Sequence, residues 1–93
     1  MSKGDNSKVF IGKKKSMDYV MAAMVVLSDG PVRFLARGQS ISRAVDVSEI
    51  LINKFMKDCT YGEILIGTET LTNSDGTNSN VSSIEIEVFP PKR

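Results

Sequence analysis

Two short basic segments hold the residue types in this chain best suited to chemistry. Lys13, Lys14 and Lys15 follow Gly12, and Arg37, Gly38, Gln39 and Ser40 lead towards Arg43. Three successive ammonium groups offer point charges to an anion, whereas an arginine grips phosphate oxygens in a bidentate fork. Each segment stands just ahead of a stretch with helical periodicity, where unpaired N–H groups and the positive end of the helix dipole favour negative charge. Gly38 beside Arg37 lets a ligand come close to the backbone. The chemistry expected of these residues is phosphate binding, with no covalent bond made or broken.

Catalysis finds little support in the other residues. There is no histidine, so the commonest general base and metal ligand is missing, and the single Cys59 lacks a histidine to activate it. Asp46 and Glu49 fall one turn apart and read as solvent-facing charge. Gly12-Lys13-Lys14 lacks the upstream glycine of a P-loop. The chain therefore reads as a non-enzyme that needs no metal or cofactor.

Net charge is only +1, but it divides unevenly. Residues 1–45 carry eight Lys or Arg against three acids, a net of +5, and residues 46–93 carry four against eight, a net of −4. A chain polarised in this way suits a polyanion on one face only. Cys59 cannot form an internal disulfide, the first residues lack the apolar stretch of a secretory signal, and Val20 to Leu27 is far short of the ~20 residues that span a bilayer. A cytoplasmic protein without a membrane anchor is expected.

Hydrophobic periodicity supplies the elements that position the basic segments. Residues 1–7 read as a flexible N-terminus and residues 8–93 as one α+β domain in the order β-α-β-α-β-β. Lys8 to Ile11 is a short strand. Ser16 is expected to cap a first helix whose Met17, Val20, Met21, Met24 and Leu27 form its core face, ended by Asp29, Gly30 and Pro31. Val32 to Ala36 is a second strand. Ser40 is expected to cap a second helix with Ile41, Ala44, Val45, Ser48, Ile52 and Phe55 on one face and Val47 and Leu51 widening it. Tyr61 to Leu71 and Val81 to Phe89 read as a long hairpin around the polar turn Asn73 to Asn80, whose tip projects as a mobile arm. Two helices cover one face of a four-stranded sheet, so the wide stripe on the second helix and the long hairpin leave apolar surface that a second subunit would cover. Leu51 is expected in that contact. If the first two strands run parallel, their basic loops emerge on the same side of the sheet.

In these residues the chain resembles the Alba family of archaeal chromatin proteins. The resemblance lies in IGKKKSMDY (from Ile11), ARGQSISRAVD (from Ala36), Glu49-Ile50 with Asn53-Lys54-Phe55, and Ser82-Ser83-Ile84-Glu85-Ile86. It implies a fold similar to the C-terminal domain of translation initiation factor three, a homodimer, and sequence-tolerant binding of DNA and also of RNA on the chromosome. It further implies that Lys13 and Lys14 are central phosphate contacts and an acetylation site, that Arg37 and Arg43 join them, and that Phe55 serves when dimers associate side by side on DNA. The chain departs from the family in having Gln39 after Arg37-Gly38 and Ile52 in the second helix, where relatives carry arginine. The hairpin has Thr77 and Asn80 where relatives carry arginines, and it includes Asp75. Each exchange removes positive charge and with it a counterion-release contribution. DNA is the first ligand expected, RNA the alternative, and a protein-interaction scaffold with an incidental basic loop a third reading.

Overall fold

The chain folds, in a computed structural model that describes residues 7–91, as one four-stranded sheet backed by two helices. The elements are β1 (Lys8–Phe10), α1 (Ser16–Leu27), β2 (Val32–Arg37), α2 (Ile41–Ile50), β3 (Thr60–Thr72) and β4 (Asn78–Phe89). The expected order β-α-β-α-β-β is present. The expected N-terminal tail lies almost wholly outside the described residues. β1 and β2 are parallel neighbours, β4 runs antiparallel beside β2, and β3 forms the far edge, in the order β1-β2-β4-β3. No helix among the described residues is long and apolar enough to cross a membrane.

Strand alternation sets the two faces. Val32, Phe34 and Ala36 pair with Val88, Ile86 and Ile84, and this side packs under the helices, with Val32, Phe34 and Val88 fully buried. Arg33 and Arg37 take the opposite, uncovered side together with Glu85. There Arg33 holds Glu63, Glu85 and Glu87 at 3.0, 3.4 and 3.5 Å. Hydrogen bonding to Glu63 is the main influence that raises the Arg33 pKa. The centre of the uncovered face is thus crossed by ion pairs that take up Glu63, Glu69, Glu85 and Glu87, with Phe10, Leu65 and Phe89 exposed around them.

The helices differ from expectation in which residues face inward. In α1 the buried residues are Tyr19, Val20, Ala23 and Leu27. Met17 and Met21 are exposed and Met24 only borders the core, so the methionines are not its centre. In α2 the core face is Ala44, Val47 and Ser48, continued by Leu51. Val45 and Phe55, expected on that face, are 42% and 47% exposed. Leu51 is completely buried inside the single chain, so it has no surface to give a partner, and the expected subunit contact at Leu51 is corrected to a core role. A π-helical turn, Leu51–Phe55, extends α2 and shifts the phase of its stripe.

Neither serine caps its helix through its side chain. Ser16 is the first residue of α1, with Lys15 extended before it, and Ser40 ends a 3₁₀ turn, Gly38–Ser40, that leads into α2. Gly38 adopts φ +59°, which a side chain would strain, so glycine is required here for backbone conformation. Gly62 sits at the irregularity between Tyr61 and Ile64 in β3, where an added Cβ would overlap the Phe89 ring and the Glu87 carboxylate.

The hairpin is longer than expected. Pairing continues to Thr72 and Asn78, so the residues from Asn78 to Asn80 belong to β4, not to the turn. Thr70 and Thr72 donate to Asn80 and Asn78, while Asn73 donates to Thr77 and Ser79, lacing the end with polar bonds. Asp75 accepts from the Thr77 hydroxyl and N–H, which hold its carboxyl below its usual pKa. The arm gives the chain an elongated outline of 51 × 31 × 22 Å.

Candidate nucleic-acid interface

Because β1 and β2 are parallel, the loops that follow Phe10 and Arg37 leave the same end of the sheet. Arg37 is opposite Ser83, so the part of β4 from Asn78 to Ser82, together with its β3 partners, extends past that end. Two basic loops and the hairpin tip are thereby gathered at one end. The juxtaposition follows from strand direction and register, which sequence periodicity does not contain.

The first loop is held from both helices. The Tyr19 hydroxyl, buried in the first turns of α1, accepts from the N–H of Gly12 at 2.8 Å and from that of Lys14 at 3.0 Å. Arg43, half-buried on α2, donates to the Gly12 carbonyl at 2.8 Å. Both ties use the backbone, so the side chains of Lys13, Lys14 and Lys15 stay exposed. The N-terminus of α1 just beyond them has no side-chain cap, and its first N–H groups add partial positive charge.

Between the loops lies an open cavity of about 380 Å³ lined by Gly12, Lys13, Gln39, Ser40, Arg43 and Asp46. Lys13, Gln39 and Arg43, taken from both candidate segments, therefore surround one space. Asp46 supplies an acceptor at its rim, a role not visible in the sequence, where it reads only as exposed charge. Tyr19 was also missed as an organiser, although its position seven residues after Gly12, one turn inside the helix, is the signal that points to it.

Arg37 does not join this cavity. It projects onto the uncovered face, where its Nη1 meets Glu69 Oε1 of β3 at 2.9 Å. Both partners are about half exposed, so the pair is weak and a phosphate can compete for the arginine. Gly38 and Gln39 are exposed at the turn into α2. Phe55 is far from these loops along the chain, at the end of the π-helical turn that follows α2, and half exposed. Among the described residues no group of three or more acidic, cysteine or histidine side chains could hold a metal. Cys59 is buried, and desolvation pushes its thiol pKa up, with Asp58 adding to the effect.

A helix-backed sheet with two cation-bearing strand-to-helix loops and a projecting hairpin at one end defines a class of small α+β modules that concentrate positive charge on a single edge. The family model described as Alba matches residues 7–72, and the chain belongs to the Alba family. The DNA/RNA-binding protein Alba of Thermoplasma volcanium is 48% identical over 80 residues, covering 84% of this chain and 89% of that protein. The protein of the same name from Nitrosopumilus maritimus is 47% identical over 91 residues, covering 95% of each. The solved structure of Alba from Thermoplasma volcanium superposes with a TM-score of 0.82 at 45% identity, over 88% of this chain and 98% of that one. An Alba protein of Trypanosoma brucei, 24% identical, shares the fold with a TM-score of 0.76 over 94% of this chain and 71% of that one.

Proposed function

We propose that this chain is a homodimeric, largely sequence-tolerant DNA-binding architectural protein that grips phosphates through its basic loops. The observation that carries the reading is the convergence of Lys13, Gln39 and Arg43 on one open cavity, with Lys14 and Lys15 exposed beside it. Relatives whose names describe DNA/RNA binding support it. Lysines and an arginine aimed at phosphates position a duplex without reading bases, which is the physical basis of sequence tolerance. RNA remains the second reading, favoured by the polar Gln39 and Asp46 at the cavity, which suit a ribose hydroxyl as well as a phosphate. Neutralisation of Lys13 or Lys14 by acetylation would weaken either complex, and a chromosome-associated location follows from the DNA reading. No catalytic step is part of the proposal.

The ionic contribution is measurable. With roughly four to six effective phosphate contacts per dimer, log affinity should fall against log salt with a slope of about −4 to −5 on B-DNA. Titrations of two unrelated duplexes and one structured RNA at several salt concentrations check this. A slope near zero would remove the phosphate reading, and a clear advantage for the RNA would promote the second one.

Dimerisation is supported by an apolar strip along β3 on the helix side of the sheet, which α2 leaves largely exposed. Tyr61, Ile64 and Ile66 are 38%, 52% and 83% exposed there. The Tyr61 hydroxyl donates to Glu49 of α2 and lies 3.1 Å from Ser48, which joins the strand to the helix edge. Burial is the main influence raising the Tyr61 pKa, followed by its bond to Glu49. Ile66→Glu places a charge at the most exposed residue of this strip while disturbing nothing packed within one chain. In equilibrium sedimentation the unaltered chain should behave as a dimer at micromolar concentration and Ile66→Glu as a folded monomer. A dimer unaffected by Ile66→Glu would move the interface elsewhere, including to the Phe55 end, which is the proposed site for contacts between dimers.

A further inference from the structure

The uncovered face of the sheet holds a shallow trough that neither the basic loops nor the apolar strip uses. Its volume is about 330 Å³, and Phe10, Leu35, Arg37, Glu69, Ser83 and Glu85 are among the residues that line it. That size lies at the lower end of the ~300–1,000 Å³ typical of small-molecule sites. Register explains the hollow. Phe10 pairs with Leu35 and Leu35 with Glu85, forming one row, while Arg37 pairs with Ser83 and Ser83 with Gly67, forming the next. The second row ends in two small residues, so a depression opens between the Phe10 ring and the Arg37–Glu69 pair.

Phe10 is 69% exposed, more than Leu65 or Phe89 on the same face, and it stands beside a surface crossed by ion pairs. Phe10 ends β1, three residues before Lys13, at the end of the sheet from which the basic loop leaves. The flat, open side of an aromatic ring on a sheet is a platform for a nucleobase, and any base has a π-face to stack on it. The neighbouring carboxylates select which part of a strand enters. Glu69 and Glu85 repel a phosphate backbone but accept hydrogen bonds from an exocyclic amine, as carboxylates do from cytosine.

We propose that this trough binds one unpaired, amine-bearing nucleobase of the strand whose phosphates the basic loops hold, stacked on Phe10 with its edge towards Glu85 and Ser83. The inference rests on the phosphate-binding reading and adds to it a site that only a single-stranded segment can fill. In a continuous duplex each base is stacked and paired, so the trough stays empty.

The chain has no tryptophan, so Phe10→Trp provides a single indole reporter at the site in the full-length protein. Three ligands separate base from backbone: an adenine octanucleotide, an octamer with the same phosphates but abasic sugars, and a blunt duplex. The adenine octamer should quench the indole, and the other two should bind without quenching it. Phe10→Ala should lower affinity for the adenine octamer by about tenfold, the loss of one stacked base. It should leave the abasic octamer and the duplex unchanged. Equal quenching by all three ligands, or an unchanged adenine affinity in Phe10→Ala, overturns the base site. If the unaltered chain binds none of the three, the phosphate reading fails as well, and that outcome is distinct from binding without a base preference. If Phe10→Ala instead changes the sedimentation of the free protein, the ring covers a second copy and the base site is overturned.

Discussion

Lys13→Ala combined with Lys14→Ala should weaken duplex binding by at least about 100-fold at ~0.1 M salt and flatten the salt slope from about −4 or −5 to between about 0 and −1. The magnitude follows from counterion release, since each lysine that leaves a phosphate removes roughly one unit of slope, and a dimer loses each twice. The loss should be similar for unrelated duplexes because ammonium groups at phosphates do not report base identity. Fold should be retained. The loop is held by the Gly12 and Lys14 N–H groups on Tyr19 and by the Gly12 carbonyl on Arg43, all backbone groups that survive truncation of the lysines. A circular dichroism spectrum and urea midpoint like those of the unaltered chain are therefore part of the expected result. Lys13→Gln, which removes one charge as acetylation does, should fall between the two. A double variant with the original slope and affinity would make the loop solvated surface and return the scaffold reading to first place.

The second large effect is on stability. Leu51→Ala should destabilise the chain by about 3 kcal/mol, from lost transfer energy and the cavity left in a fully buried site. That is a large part of the ~5–15 kcal/mol typical of a domain. With a urea m-value of about 1.5 kcal/mol/M, the midpoint should fall by about 2 M. Phe55→Ala, at a half-exposed ring in the same π-helical turn, should cost much less. The comparison needs equal protein concentrations, because dimerisation stabilises the folded state by mass action. Similar shifts for both variants would contradict the assignment of Leu51 to the core and Phe55 to the surface.

Much of this protein was legible locally. Strand and helix periodicities, the Gly30-Pro31 stop and the polar hairpin turn are short-range signals, and they placed all six elements in their order. The two basic segments were visible because a strand, a glycine-containing loop and a helix leave their mark within a few residues. The inward face of α1 was not legible. Its residues from Tyr19 to Leu27 are apolar without interruption, so a period of 3.6 has no polar contrast to set its phase. In α2 the core stripe of Ala44, Val47, Ser48 and Leu51 keeps the ordinary helical spacing, and the π turn that begins at Leu51 shifts the phase beyond it, leaving Phe55 outside. The expected serine caps failed for a different reason: propensity favours a hydroxyl at a helix start but does not make its bond, and the chain enters these helices through an extended lysine and a 3₁₀ turn.

Residue identity alone was enough to rule out histidine chemistry and an internal disulfide, and to polarise the charge along the chain. Tertiary structure alone decided where that charge goes. Parallel pairing of β1 with β2 sends both basic loops to one end, and insertion of β4 between β2 and β3 brings Glu69 within reach of Arg37 and turns that arginine away from the cavity of Lys13 and Arg43. The same register puts Phe10 and the small Ser83 on the walls of one trough. Each of these outcomes depends on which strands become neighbours and on their alignment, and a sidechain period of two residues sets the face of a strand without naming the strand beside it.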